Sequence, residues 1–372
     1  MENIQQQLID LLETRRKEGL LRQLQVLDDR TDFCSNDYLG LAIDQTLAAN
    51  IARDFEALPF TSRKNGSTGS RLISGQSTLI EQFENECAAF HGAEAALLFS
   101  SGYDANVGLI SSLPQEGDVI FCDKLLHASL IDGLRLSKAE RRIFKHNNLE
   151  DLVHLMDQYP AETRKWIVVE SVYSMDGDIA PLEKLVDLKN SYGAELIVDE
   201  AHSGGIYGPA GQGLVFELGL IEEVFARVIT FGKAWGNAGA VVLGSLALKE
   251  YLVNFARPFI YSTAPAPAHV SALLSTLRYL PSQNEARKKL QENIAYFLEN
   301  AKSDAWGDSK TAIQTFFVTG NEAVRAKAAK ANEFAIKPIV SPTVPKGKER
   351  IRITLSANHT KEQIQSLIKT LE

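Results

Sequence analysis

Apolar positions along this chain follow two rhythms. From Leu79 to Phe90, in "LIEQFENECAAF", they recur at three- and four-residue steps, which predicts a helix over 77–91. Ile4, Leu8, Leu11 and Leu12 repeat that spacing near the start and predict an amphipathic helical arm. Elsewhere the apolar residues are continuous but brief, as in "AALLF", "DVIFCD", "KWIVVES", "ELIVD" and "RVITF". "NLEDLVHLMDQY" and "PLEKLVDLKNSYG" lie between such runs with helical spacing. Strands without alternation, separated by helices, predict an α/β chain whose parallel sheet is covered on both faces. Beyond about residue 255 the pattern changes to a long helix, Ala286 to Ala301, then to "TAIQTFFVT" and "RIRITLS". The expected organisation is a helical arm over 1–36, a large α/β domain over 37–255 and a small α+β domain over 256–372.

Open parallel sheets bind ligands beyond the carboxyl ends of their strands. Gly102, Ser174, Asp199 and Thr230 fall at such ends or just past them. The stretch "LIVDEAHSGG", Leu196 to Gly205, is thus the first place to look for chemistry. D-E-A-H is also the acidic box of nucleic-acid helicases, which requires an upstream G-x-x-x-x-G-K-[ST] loop. That loop is missing: "GSTGSRLISG" has no lysine, and Gly232-Lys233 is followed by Ala234. Charge argues the same way. With 39 Lys+Arg against 47 Asp+Glu the formal net charge is −8, which gives a phosphate backbone little to attract. No nucleic-acid partner is expected. No metal is expected either, since Asp199 and His202 have no evident third ligand.

Cys34, Cys87 and Cys122 are odd in number and lack C-x-x-C spacing, so a reducing cytoplasm is the expected location. Charges interrupt "MENIQQQLIDLLETRRKEGLL", which does not read as a secretory signal. The longest uncharged run, Pro258 to Leu277, contains Pro265 and Pro267 and many polar residues, so no membrane span is expected.

"VITFGKAWGNAGAVVLGS" places Lys233 three residues past Thr230, between Phe231 and Trp235, with no charge from Ala234 to Leu248. A lysine is ordinarily a solvated surface residue. Desolvated in such a setting, its amine loses pKa and becomes a nucleophile for a carbonyl. Schiff-base chemistry with an aldehyde cofactor follows, and pyridoxal phosphate supplies that aldehyde. Such a cofactor needs a carboxylate facing its ring nitrogen, for which Asp199 is suitably placed. Its phosphate needs backbone N–H groups at a helix start and hydroxyls, offered by Gly102, Tyr103 and Thr230. His127 could stack on the ring; Ser174 and His202 could donate to its phenolic oxygen. Singly each has a plain structural explanation: a turn at Ser174, a cap at His127, a strand hydroxyl at Thr230. Their order along the chain makes the joint reading.

The chain resembles the α-oxoamine synthases of the aspartate-aminotransferase fold. The resemblance rests on "FCSNDYLGLA", "GSTGSRLISGQSTLIEQFE", "SSGYDAN", "HASLIDG", "ESVYSMDGDIAPL", "VDEAHSGGIYGPAGQG", "TFGKAWG", "FARPFIYST", "SPTVPKG" and "RIRITLSANHT". It implies a fold type I architecture with a mostly parallel seven-stranded sheet. It also implies a decarboxylating condensation of an amino acid with an acyl thioester. By the same resemblance Lys233 carries the cofactor, Asp199 pairs with its pyridinium and His127 stacks; His127 also steadies an oxyanion. Ser174 and His202 would meet the cofactor's oxygen, and Gly102, Tyr103 and Thr230 its phosphate, joined by Thr263 from a partner subunit. Arg352 would hold the amino-acid carboxylate with Asn36 close by; Arg22 would greet the far carboxylate of the acyl chain and Thr343 would touch substrate. The implied assembly is a homodimer with shared active sites. Alanine with a pimeloyl thioester, of coenzyme A or a carrier protein, is the expected substrate pair. Glycine with acetyl-CoA and serine with palmitoyl-CoA are the alternatives, and a catalytically dead scaffold is a distant one.

Overall fold

The apolar runs become buried strands in the computed structural model, which describes residues 3–24, 26 and 29–372. Along the chain the strands are β1 (Thr31–Asp32), β2 (Ala95–Phe99), β3 (Val119–Asp123), β4 (Glu140–Phe144), β5 (Lys165–Glu170) and β6 (Ala194–Asp199). They continue as β7 (Ala226–Thr230), β8 (Ala240–Gly244), β9 (Ile313–Phe317), β10 (Phe334–Ala335), β11 (Lys337–Ile339) and β12 (Arg350–Thr354). Seven of them form one sheet in the order β2-β8-β7-β6-β5-β3-β4. All pairings in it are parallel except those of β8, which runs antiparallel to both β2 and β7. The architecture is the expected α/β one with a mostly parallel seven-stranded sheet.

Two strands of that sheet were not apparent in the apolar pattern. β4, "ERRIF", is an edge strand with β3 as its sole neighbour, so Glu140 and Arg141 point to solvent and Ile143 stays exposed. One-sided pairing permits charge at an edge. β8 follows the glycine-rich turn after Lys233, and its apolar residues merge in the sequence with those before it.

Helices 78–91, 149–156 and 182–192 fall where the three- to four-residue spacing put them, and helix 102–112 starts at Gly102 as expected. Ser101 opens Gly102–Ser112 by accepting from the Asp104 amide, and Asn148 opens Leu149–Met156 by accepting from the Asp151 amide. The long C-terminal helix is Asn284–Asn300, and β11-β12-β9 form a separate antiparallel sheet. One buried apolar cluster joins Phe33, Trp235, Val241 and Ile353, so N-terminal, central and C-terminal segments share a core. β1 pairs in parallel with β10, pinning the segment that leads to Asn36 against the C-terminal part of the chain. The predicted arm forms as helix Ile4–Lys17, and no residue in it is buried. Among the described residues no helix is long and apolar enough to cross a membrane.

Candidate active site

β5 and β6 end level, Glu170 pairing in register with Asp199, and β7 runs two residues past Val228, the partner of Asp199, to end at Thr230. Beyond these ends lies a cavity of about 320 Å³, within the usual range of small-molecule sites. Gly102, Tyr103, His127, Asp199, His202, Thr230 and Lys233 all line it. Residues spread over more than a hundred positions thus converge because the parallel crossovers return each strand end to one edge.

Asp199 is 4% exposed and both its oxygens are held: Oδ1 accepts from the Ala201 amide at 2.8 Å and Oδ2 from Asn106 Nδ2 at 2.7 Å. Asn106 Nδ2 also reaches Ser129 Oγ at 3.0 Å. The carboxylate is thereby fixed in orientation before any ligand arrives. Lys233 follows Phe231 and precedes Ala234 and Trp235, all fully buried, which anchor its turn rigidly. Burial holds the Lys233 amine below the usual lysine range, against the pull of Asp199 and Glu170; Arg352 lowers it further. The His127 side chain caps helix Ala128–Leu136, accepting from the Ser129 amide, and its Nδ1 lies 2.7 Å from Ser129 Oγ. Burial and Lys233 lower the His127 pKa while Asp199 opposes them, leaving a neutral ring at neutral pH.

Gly102 opens its helix against β7: a Cβ there would sit 2.6 Å from Thr230 Cγ2. That contact explains the glycine and leaves the first amides of the helix open to an anion. The Tyr103 ring is exposed and its hydroxyl donates to Asp132, so Tyr103 lines the cavity but spends its side-chain donor elsewhere. Thr230 Oγ1 makes one long contact, 3.4 Å to the Ala201 carbonyl, and is available to a ligand.

A buried arginine and its partners form a second polar group of the predicted site. Arg352, on β12, is 8% exposed and donates to the Ser174 carbonyl at 2.6 Å, Thr354 Oγ1 at 3.0 Å and Asn36 Oδ1 at 2.9 Å. Asn36 and Arg352 are therefore together. Ser174 meets Arg352 through its backbone and is not in the cavity wall. Thr263 bridges to Ser70, and neither it, Arg22 nor Thr343 lines the cavity. Arg22 and Thr343 are exposed. A larger open cleft of about 1250 Å³, among Leu136, Tyr251 and Tyr261, contains no histidine and no aspartate in its wall. The titratable residues expected at the site gather in the smaller cavity.

Four residues of the site escaped sequence reasoning. Asn106 and Ser129 orient Asp199 and His127; both lie within motifs already noted, one helical turn beyond Gly102 and two residues past His127. Glu170, 3% exposed, accepts from the His127 amide and lies in the cavity wall. Burial, and then the neighbouring Asp199, push its carboxyl well above the usual glutamate range. Tyr38 bonds His202 at 2.6 Å. An acid ending a strand, like Glu170, is a readable sign; Tyr38 is 164 positions from its partner and gave none.

The fold and this site define a class of protein. The sequence profile of the aminotransferase class I and II family matches residues 28–371, and the chain belongs to that family. It is 39% identical to the 8-amino-7-oxononanoate synthase of Emericella nidulans, over 96% of this chain and 93% of that one. Among solved structures, serine palmitoyltransferase from S. paucimobilis with a bound PLP–myriocin aldimine superposes with a TM-score of 0.89 at 28% identity, covering 100% of this chain and 98% of the other. The 8-amino-7-oxononanoate synthase of Francisella tularensis gives 0.77 at 32%, covering 92% and 97%.

Proposed function

We propose that the chain is a pyridoxal-5'-phosphate-dependent α-oxoamine synthase that joins L-alanine to a pimeloyl thioester, giving 8-amino-7-oxononanoate, carbon dioxide and free thiol. One observation carries the reading: Lys233, Asp199, His127 and His202 share a single cavity at the strand ends, with an open helix start beside them. The donor set fits this cofactor. A depressed amine suits an aldehyde, a held carboxylate a ring nitrogen, and a helix start with a free threonine hydroxyl a phosphate.

When bound, the cofactor supplies an aldehyde for the amine and a protonated ring that takes up electrons. Lys233 Nζ would be the amine that holds the aldehyde and would serve as the base for the α-proton of alanine. Asp199 keeps a proton on the ring nitrogen; Asn106 and the Ala201 amide keep Asp199 aimed, a charge-assisted arrangement that needs no reorganisation. His127, in the cavity wall, would lie against the ring and would steady the oxyanion that develops on the thioester. His202 donates to the phenolic oxygen; Ser174 is assigned there too, at the edge beside Arg352. The first amides of helix Gly102–Ser112, Thr230 and Thr263 of a second copy hold the phosphate. Arg352 takes the alanine carboxylate, and Asn36 steers its guanidinium. Arg22 and Thr343 meet the acyl chain, whose far carboxylate suits an arginine.

Homodimerisation with shared sites belongs to this reading. Its support is the uncovered apolar face of the arm, with Leu8 51%, Leu11 65% and Leu12 50% exposed, and Tyr261 at 71% beside Thr263. Cytoplasmic residence is supported by three unpaired cysteines. The division into a helical arm, large domain and small domain at residues 36 and 255 is kept as part of the proposal. The higher TM-score to serine palmitoyltransferase keeps serine with a long acyl chain as the second reading. A panel of alanine, glycine and serine against short, long and ω-carboxylated thioesters, followed as thiol release, separates them. Alanine with the ω-carboxylated thioester should dominate. Preference for serine with the long chain would transfer the assignment to the second reading.

A further inference from the structure

Arg352, Asn36, Tyr38 and His202 stand in a row of close polar contacts, with Tyr38 between Asn36 and His202. Arg352 Nη2 donates to Asn36 Oδ1 at 2.9 Å; the Tyr38 hydroxyl lies 3.3 Å from that same oxygen and 2.6 Å from His202 Nδ1. Tyr38 is 1% and His202 6% exposed, so bulk water does not substitute for these partners. We propose that Tyr38 is a positioning residue that holds His202 as its Nε2–H tautomer and ties that imidazole to the engagement of Arg352.

The argument begins with proton counting. Burial, then the nearby charges of Lys233 and Arg352, hold His202 well below the usual histidine range, so its ring is neutral and carries one N–H. The Tyr38 hydroxyl has one proton and two lone pairs. Burial keeps that proton on, while the Arg352 guanidinium faces the oxygen and attracts its lone pairs. The proton therefore turns away from Arg352. Of the two acceptors within reach, Asn36 Oδ1 is at 3.3 Å, beyond the usual O–H···O range, and is already taken by Arg352. His202 Nδ1, at 2.6 Å, receives it. The ring's own proton must then sit on Nε2. His202 lines the cavity, so Nε2–H is the donor presented to a bound group.

The same chain couples two ends of the site. A carboxylate arriving at Arg352 competes with Asn36 for Nη2 and weakens the charge felt by the Tyr38 oxygen. The strength of the Tyr38–His202 bond, and through it the donor at Nε2, then depends on whether the carboxylate position is filled. This coupling rests on the reading of the cavity as a pyridoxal phosphate site with Arg352 as its carboxylate clamp; the tautomer does not.

With seven histidines, ¹⁵N-histidine-labelled holoenzyme can be read directly by NMR. The His202 signals, assigned by their loss in His202→Asn, should report Nε2–H, and Nδ1–H there overturns the proposal. The coupling is read by pH titration of the bound chromophore with and without propionate, a carboxylate that lacks an amine. The wild-type midpoint should shift with propionate and Tyr38→Phe should lose that shift. An unshifted wild type, or an equal shift in Tyr38→Phe, overturns the coupling. Should Tyr38→Phe not fold, the wild-type NMR result decides alone. A chain that binds no cofactor would instead sink the functional reading, and the tautomer would still be read in the apo chain.

Discussion

The wall around Asp199 and the surface that carries Arg22, Thr263 and Thr343 are built in opposite ways. Asp199, Asn106, Ser129 and Glu170 are buried at strand ends or on the helix that follows a strand, and each makes short hydrogen bonds within one chain. Arg22 and Thr343 are exposed on segments outside the sheet, and Thr263 bridges to Ser70 and does not line the cavity. The first region is finished by folding. The second is finished by a ligand, a second copy or a movement. Chemistry requires preorganisation, so the proposed reading assigns it to the first and the choice of acyl chain to the second.

The largest effect should come from the finished region. Lys233→Ala removes both the cofactor's amine and the proposed base, so turnover should fall by at least about 10³-fold; substantial multiple-turnover activity would refute the role. Asp199→Asn comes next. The Ala201 amide and Asn106 Nδ2 then face a single oxygen, and an amide cannot hold a ring proton. Most of the rate should vanish while the thermal midpoint moves by a few degrees at most; an unchanged rate would mean that no electron sink operates there.

At the boundary between the regions stands Arg352→Lys, which loses a planar fork directed at Asn36, Thr354 and the Ser174 carbonyl. KM for the amino acid should rise about tenfold or more, as expected for one charge-assisted bond, with KM for the thioester little changed. Equal effects on both would make Arg352 a structural residue.

Glu170→Gln sharpens the comparison through stability. A folded-state pKa raised above the unfolded value means that the native chain binds the extra proton, and stability falls as pH rises through the interval between them. A neutral amide removes that dependence. The variant should gain on the wild type as pH climbs above the ordinary glutamate range and lose the advantage below it; parallel melting curves across pH would contradict a raised Glu170 pKa. The smallest effect belongs to the unfinished region: Arg22→Ala should leave the melting temperature and the KM for alanine alone and raise KM for the ω-carboxylated thioester.

Legibility in the sequence followed the same division. "LIVDEAH" and "VITFGKAW" could be read because a buried strand announces itself by a continuous apolar run, and the residue at its end is fixed in space by the sheet. Asn106 and Ser129 were within reach, since each lies a helical turn or less from a named residue. Tyr38 stands two residues past Asn36, yet its contact with His202 was not readable, because it depends on where the β1–β10 pairing brings the N-terminal segment. β4 was lost for another reason: an edge strand needs no apolar outer face, so "ERRIF" carries no run to detect. Ser174 shows the limit of placing residues past strand ends, four positions beyond β5 being far enough to leave the cavity wall for the Arg352 side.

The central claim is that the amine at position 233 holds an aromatic aldehyde. Borohydride reduction of the purified, cofactor-loaded protein, followed by peptide mass spectrometry, tests it in one step. The account predicts a pyridoxyl phosphate mass fixed to Lys233 and to no other lysine; an unlabelled Lys233 peptide beside a labelled lysine elsewhere, or no label at all, would contradict it.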